Sequence, residues 1–184
     1  MRVIAGRAGG ARLTVPKTGV RPTMDRVKAA IFSSLGDAVI GGRVLDLFAG
    51  SGALGIEALS RGADAALFVD EDRQSVAAIE QNLAKTALQA RVRRAEVFDF
   101  LRRFSSEKFH IIFADPPYEK TKSGEAYTKL LLENESLVRL LELDGIFVLE
   151  KCPSERLPEN ELWRVIRSKT YGATEVLFLR PASK

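Results

Sequence analysis

The sequence predicts an α/β protein: a mostly parallel seven-stranded sheet with helices on both faces, a C-terminal antiparallel hairpin, and a small N-terminal β-hairpin extension. Three observations carry this. From Arg43 onward short aliphatic runs alternate with longer helical patterns, the signature of parallel strands joined by crossover helices. A glycine-rich turn directly follows the first of those strands. After Leu162 the alternation gives way to strand, turn, strand, which adds antiparallel pairing at the end of the sheet.

Each element has its own warrant. Val3-Ile4-Ala5 and Ala11 to Val15 flank Gly9-Gly10, a hairpin pattern whose cations alternate with apolar residues and so share one face. Thr23 to Leu35 reads as an amphipathic helix with Val27, Ala30, Ile31 and Leu35 as its buried stripe and Thr23 as N-cap after Pro22. This divides the chain into an extension over residues 1–22 and a sheet domain over 23–184. Val44 to Phe48 is strand one, and Gly50 to Leu59 runs from loop into a helix closed by Gly62. Ala65 to Asp70 is strand two. Asp72 caps a helix with Val76, Ile79 and Leu83 along one side. Arg91 to Ala95 is a weaker third strand before a short helix, Phe98 to Phe104. Phe109 to Ala114 is strand four, followed by a helix from about Ala126 to Leu141 and a turn at Asp144-Gly145. Strand five is Ile146 to Glu150. The terminal hairpin pairs Leu162 to Ile166 with Thr174 to Leu179 around Tyr171-Gly172.

Composition removes several classes of function. A chain of 184 residues holds one sizeable core. One Cys, Cys152, and one His, His110, cannot supply a disulfide framework, a zinc site or a Ser-His-Asp triad, so no metal is expected. No apolar run reaches the roughly 20 residues of a membrane span, and no secretory h-region is visible, which predicts a cytoplasmic protein. Charge is uneven. Residues 1–28 hold seven cations against a single acid, Asp25; that +6, against +4 for the whole chain, leaves the body at −2. Arg2, Arg7, Arg12 and Lys17 on such an arm suit a polyanion.

Two motifs carry chemistry. Asp115-Pro116-Pro117-Tyr118 ends strand four, where neither proline can extend a ladder and where open α/β sheets bind ligands. The Asp115 carboxylate and a backbone carbonyl can accept from a planar NH2 group, and Tyr118 can stack on the molecule carrying it. Gly50-Ser51-Gly52 with Gly55 forms a G-x-G-x-x-G after strand one, and Asp70, with Glu71 beside it, ends strand two in position to accept from ribose hydroxyls. A dinucleotide and S-adenosylmethionine both satisfy that pattern. Asp46, four residues before Gly50, favours the second, because a sulfonium and an ammonium welcome a carboxylate that a pyrophosphate would repel. Glu96-Val97 after strand three would then flank the adenine.

Taken together, Asp46 to Gly52, Asp70 and Asp115 to Tyr118 resemble the S-adenosylmethionine-dependent amino-methyltransferases. Arg2 to Gly6, Arg12-Leu13, Arg21 to Val27 and Leu45 to Ala63 make the whole chain similar to the bacterial small-subunit ribosomal RNA guanine-N2 methyltransferase family (RsmD-like). That resemblance implies a Rossmann-like class I methyltransferase fold and ribosomal RNA or the small subunit as partner; nothing in the sequence suggests an obligate dimer, so a monomer is expected. It implies that Asp46, Gly50 and Gly52 line the methionine end of the cofactor, with Phe48, Ala49 and Ser51 also among its binding residues. The segment with Arg21, Thr23 and Asp25 would close over it, and Asp115, Pro116, Pro117 and Tyr118 would receive a flipped base. Three rivals stay open: a DNA adenine-N6 methyltransferase, since adenine offers the same NH2; an NAD-dependent oxidoreductase, for which no catalytic His is evident; and a non-catalytic RNA-binding module.

Overall fold

The computed structural model describes residues 1–16, 25–104, 106–118, 126–159 and 161–182. Seven strands form one sheet in the order β3-β2-β1-β4-β5-β7-β6, with β1 Arg43–Leu47, β2 Ala65–Asp70, β3 Arg91–Arg94, β4 Phe109–Ala114, β5 Leu141–Lys151, β6 Trp163–Tyr171 and β7 Thr174–Pro181. β1 to β5 pair in parallel, and β7 joins β5 and β6 antiparallel. The expected class and topology are both present.

Among the described residues, six α-helices cover the sheet: α1 Asp25–Leu35, α2 Ala53–Ser60, α3 Arg73–Thr86, α4 Val97–Arg103, α5 Tyr127–Leu132 and α6 Glu135–Arg139. Because side chains alternate across a strand, the interior divides into two apolar layers. One layer joins Val44, Phe68, Ile111, Phe113, Val176 and Phe178 to α1, α2 and α3. The other joins Leu45, Leu67, Ile112, Phe147 and Leu177 to α4, α5 and α6. Strand order reverses between β1 and β4, and the crevice at their carboxyl ends is where ligands enter such sheets.

Several local expectations are corrected. The helix expected across 126–141 is two helices, because Asn134 caps α6 by accepting from the Leu137 N–H at 3.0 Å instead of continuing α5. Asp144-Gly145 lies inside β5 as a bulge: Phe109 pairs with Leu141, but Ile111 pairs with Ile146. β6 is longer than its sequence pattern, since an edge strand in a bulged hairpin carries no strict alternation. In α1 the buried positions are Val27, Lys28, Ile31, Phe32 and Leu35, with Ala30 half-buried; Thr23 lies outside the described residues.

The N-terminal hairpin has one bridge, Arg2 to Arg12, in place of two strands. Its backbone bonds run from Val3 N–H to Ala11 O and from Gly10 N–H to Val3 O, both 2.9 Å. The connection is wide because the chain turns back through Gly6 and Gly10, both at positive φ. Gly6 lies so close to α2 that a Cβ there would stand 1.8 Å from the Ser60 carbonyl oxygen. Val3 and Leu13 are buried in the α1–α3 layer.

Candidate active site

β1, β2, β3 and β4 bring their carboxyl ends side by side, and the loops leaving them hold the acids singled out above. After β1 the chain turns through three left-handed residues, Phe48 (φ 54°), Gly50 (φ 55°) and Gly52 (φ 75°). Glycine adopts this at no steric cost, whereas Phe48 does so under strain. Its ring is held edge-on by Phe98 and Tyr127, with centroids 6.4 and 5.6 Å away, and those two rings stack on each other at 6.2 Å. The strained residue is thereby locked by an aromatic cluster at the mouth of the crevice.

Asp46 is 2 % exposed. One carboxylate oxygen accepts from the Gly55 N–H at 2.9 Å, in the first turn of α2. Its pKa is raised to about 8, first by burial and then by the charges of Asp115 and Asp70 at the ends of the flanking strands, against that hydrogen bond. The buried Asp46, with the half-buried Asp70 and Asp115 at the ends of the flanking strands, makes this end of the crevice attractive to a cation.

Asp70 clasps the loop. Its Oδ2 accepts from the Gly50 N–H at 2.8 Å and its Oδ1 from the Asp72 N–H at 2.9 Å. Burial shifts its pKa upward despite both bonds. Each oxygen keeps a lone pair for a further donor. Glu71 is exposed, and its carbonyl accepts from Arg94 Nε at 3.1 Å. Glu96 caps α4, Oε2 accepting from the Asp99 N–H at 2.8 Å, while Val97 is buried. Ala49 and Ser51 complete the loop wall; the Ala49 N–H reaches the Val69 carbonyl at 3.2 Å.

Asp115 follows β4 half-buried, Pro116 is buried, and Pro117 and Tyr118 are exposed. The Tyr118 hydroxyl lies 3.0 Å from Thr174 Oγ1, which ties this loop to the start of β7.

The basic arm lies along α2. Glu57 accepts from the Ile4 and Ala5 N–H groups at 2.7 and 3.0 Å, and the Arg7 N–H reaches the Ser60 carbonyl at 2.9 Å. Since α2 runs antiparallel to β1, Arg7 sits at the end of the sheet opposite the acids. Arg2 and Arg12 are bridge partners and exposed. Asp25 bonds the arm, accepting from the Arg2 N–H at 3.3 Å. Lys17, Arg21 and Thr23 lie outside the described residues.

Several residues escaped sequence reasoning. Lys28 and Glu57 form a fully buried ion pair at 3.2 Å, invisible to periodicity because both occupy positions that normally carry apolar groups. Asn82 of α3 is buried and bonds the arm to the glycine loop: Oδ1 accepts from Thr14 N–H at 2.7 Å, and Nδ2 donates to Thr14 O and Ser51 O at 2.8 and 2.9 Å. Phe98 and Tyr127 could have been found by position, each being an aromatic in the first turn of a helix that leaves the carboxyl end of a strand. His110 has a structural role, Nδ1 accepting from the Arg43 N–H at 3.1 Å.

Residues 1–180 match the family described as Conserved hypothetical protein 95. The chain is 42% identical over 182 residues to YlbH of Bacillus subtilis, covering 96% of each. It is 40% identical over 175 residues to ribosomal RNA small subunit methyltransferase D of Escherichia coli, covering 94% of this chain and 85% of that one. Among solved structures, a hypothetical protein of Thermus thermophilus superposes with a TM-score of 0.82 at 31% identity, covering 98% of this chain and 99% of that one.

Proposed function

The chain belongs to the Conserved hypothetical protein 95 family, the RsmD-like methyltransferases, and on that premise we propose that it transfers a methyl group from S-adenosylmethionine to the exocyclic N2 of a guanine in small-subunit ribosomal RNA. The observation that carries the cofactor is the buried Asp46 between Asp70 and Asp115. A pyrophosphate brought there would meet three carboxyls; a sulfonium with its ammonium supplies the cation they lack. Gly50 and Gly52 leave the loop backbone open to close approach, and Asp70 retains acceptor capacity for ribose hydroxyls. The residues fit this cofactor.

When bound, S-adenosylmethionine supplies an electrophilic methyl group, so the chain's task is geometry. Asp46 neutralises positive charge at the methionine end. Asp70 holds the ribose, and Glu96-Val97 border the adenine. Asp115 and the Pro116 carbonyl accept the two N2 hydrogens, pointing the nitrogen lone pair, otherwise delocalised into the ring, at the methyl group. Pro117 stiffens that turn, and Tyr118 stacks on the extruded base. Positioning of this kind contributes roughly 7–11 kcal/mol of barrier lowering. Asp115 also takes the proton that N2 must shed. The Arg21 to Arg26 segment closes over the methionine moiety, and Arg2, Arg7, Arg12 and Lys17 of the 1–22 extension hold the RNA backbone, Arg7 doing so at the end of the sheet away from the target base. We take the protein to act as a monomer.

The test is transfer from methyl-labelled S-adenosylmethionine to ribosomal RNA, small subunits or DNA, followed by nucleoside analysis. N2-methylguanosine is expected; N6-methyladenine from DNA, or no transfer, would overturn the reading. Asp115→Ala should abolish transfer while cofactor still binds.

A further inference from the structure

We infer that one face of the C-terminal hairpin is a phosphate-binding track that carries substrate RNA toward Tyr118, an inference that rests on ribosomal RNA being the substrate. Register decides which side chains share that face, because directly paired residues project to the same side. Arg164 pairs with Arg180, Arg167 with Phe178, Lys169 with Val176, and Tyr171 with Thr174. Val176 and Phe178 belong to the layer under α1–α3. Arg164, Arg167, Lys169 and Arg180 therefore stand on that side, the first three exposed.

No acid of the hairpin joins them. Glu175 alternates to the other side, where Lys151 Nζ donates to it at 2.8 Å and Ser168 Oγ at 2.6 Å. No ion pair neutralises any of the four cations among the described residues. The ordinary role of charge on an edge strand is to prevent edge-to-edge pairing, and the bulge at Ile166 serves that end too. Protection needs charge somewhere on the edge; it does not need four cations sorted onto one face.

The direction of the track is informative. β7 starts beside the carboxyl end of β5, Glu175 pairing with Lys151, so the β6–β7 turn lies on the same edge of the sheet as the acids. The column ends at Tyr171 and Thr174, and Thr174 holds the Tyr118 hydroxyl. Cations spaced about 7 Å apart along such a strand suit successive phosphates better than a single small anion. The N-terminal arm lies against α2, α3 and the first turn of α1, on helices and not on β6, so the two basic surfaces are separate.

The test compares wild type with the R164E/R167E/K169E variant, all three positions being exposed, and with R103E on α4 as a control. Binding to a small-subunit rRNA transcript is measured over roughly 50–200 mM salt. The variant should lose about 3 from the magnitude of the log–log salt slope, bind about tenfold or more weakly, and show its kinetic defect in KM for RNA rather than kcat. S-adenosylhomocysteine affinity, which reports the folded cofactor site, should match wild type, and R103E should behave as wild type throughout. An unchanged slope and KM in a variant that still binds S-adenosylhomocysteine would overturn the track and leave the proposed function intact. A defect seen with assembled subunits but absent with naked RNA would overturn it in favour of a protein contact. If wild type neither binds nor methylates rRNA, the proposed function falls and the track with it.

Discussion

Asn82 donates from Nδ2 to the Ser51 carbonyl at 2.9 Å, so a buried amide on α3 fixes the glycine loop from behind. The same side chain grips both backbone groups of Thr14, and one residue thereby couples the basic arm to the cofactor loop. Asn82→Ala strands three polar groups, and a loss of about 1–3 kcal/mol is expected in urea unfolding. S-adenosylmethionine affinity should fall several-fold with it. Lost stability with unchanged affinity would reduce Asn82 to a purely structural role.

Asp46 predicts a pH dependence whose sign follows from its raised pKa. The free site holds a proton below about 8 that a bound cation would expel. Cofactor affinity should therefore rise with pH up to about 8 and then level, with proton release visible as buffer-dependent heat in calorimetry. Asp46→Asn should weaken binding and flatten the profile. In the absence of cofactor the linkage runs the other way. The folded chain keeps a proton that the unfolded chain releases, so Asp46 favours the fold fully below 3.8, and that contribution is lost as pH rises through about 8.

Lys28 and Glu57 are both fully buried, and Lys28 Nζ also donates to the Arg2 carbonyl at 2.5 Å. Burial pulls the Lys28 pKa down against the attraction of Glu57. Lys28→Met leaves a buried carboxylate short of one partner and should cost about 3–5 kcal/mol in chemical unfolding. Arg61→Ala, which removes the partly exposed second cation on Glu57, should cost only about 1 kcal/mol. Equal costs would refute the importance of burial here.

Gly55→Ala tests close packing behind the loop. A Cβ there would stand 2.3 Å from Cε1 of Phe68 and 3.1 Å from the Asp46 oxygen that its own N–H binds. Overpacking of this size should cost about 1–3 kcal/mol and raise the cofactor Kd. Pairing it with Phe68→Leu should recover much of the stability; no recovery would place the strain elsewhere.

Tyr118 separates stacking from hydrogen bonding. Tyr118→Phe loses the Thr174 contact and keeps the ring, so its rate on RNA should stay near wild type. Tyr118→Ala should lose about 1–3 kcal/mol of base stacking, roughly a 5- to 150-fold fall in kcat/KM. Comparable losses in both variants would show that the ring's placement, set by Thr174, matters more than its surface.

The succession of strands and helices, the glycine loop and its three acids were legible because each rests on local chemistry: runs of apolar residues, positive φ at glycine, acids at strand ends. Asn134 hid the break between α5 and α6, since a capping residue inside an apolar period reads as one polar position in a longer helix. The Asp144-Gly145 bulge hid for the opposite reason, looking like a turn when the strand continues on both sides of it. Lys28, Glu57 and Asn82 could not be read, because apart from Arg61 beside Glu57 their partners lie 26 to 68 positions away and no periodicity links them. Phe98 and Tyr127 needed the topology to show that they meet Phe48.

The Thr14–Asn82 bond also sets an order of events as the chain is synthesised. Sixty-eight residues separate the partners, which at cellular elongation rates of roughly 5–20 residues per second is a wait of about 3–14 s. Throughout that interval α3 is incomplete, and until residue 60 has been made α2 is too, so residues 1–14 lack their full platform. The first part of the polypeptide to be made thus waits for α3 before it can find its place. The glycine loop, backed by the same amide, cannot reach its final shape until α3 has been made.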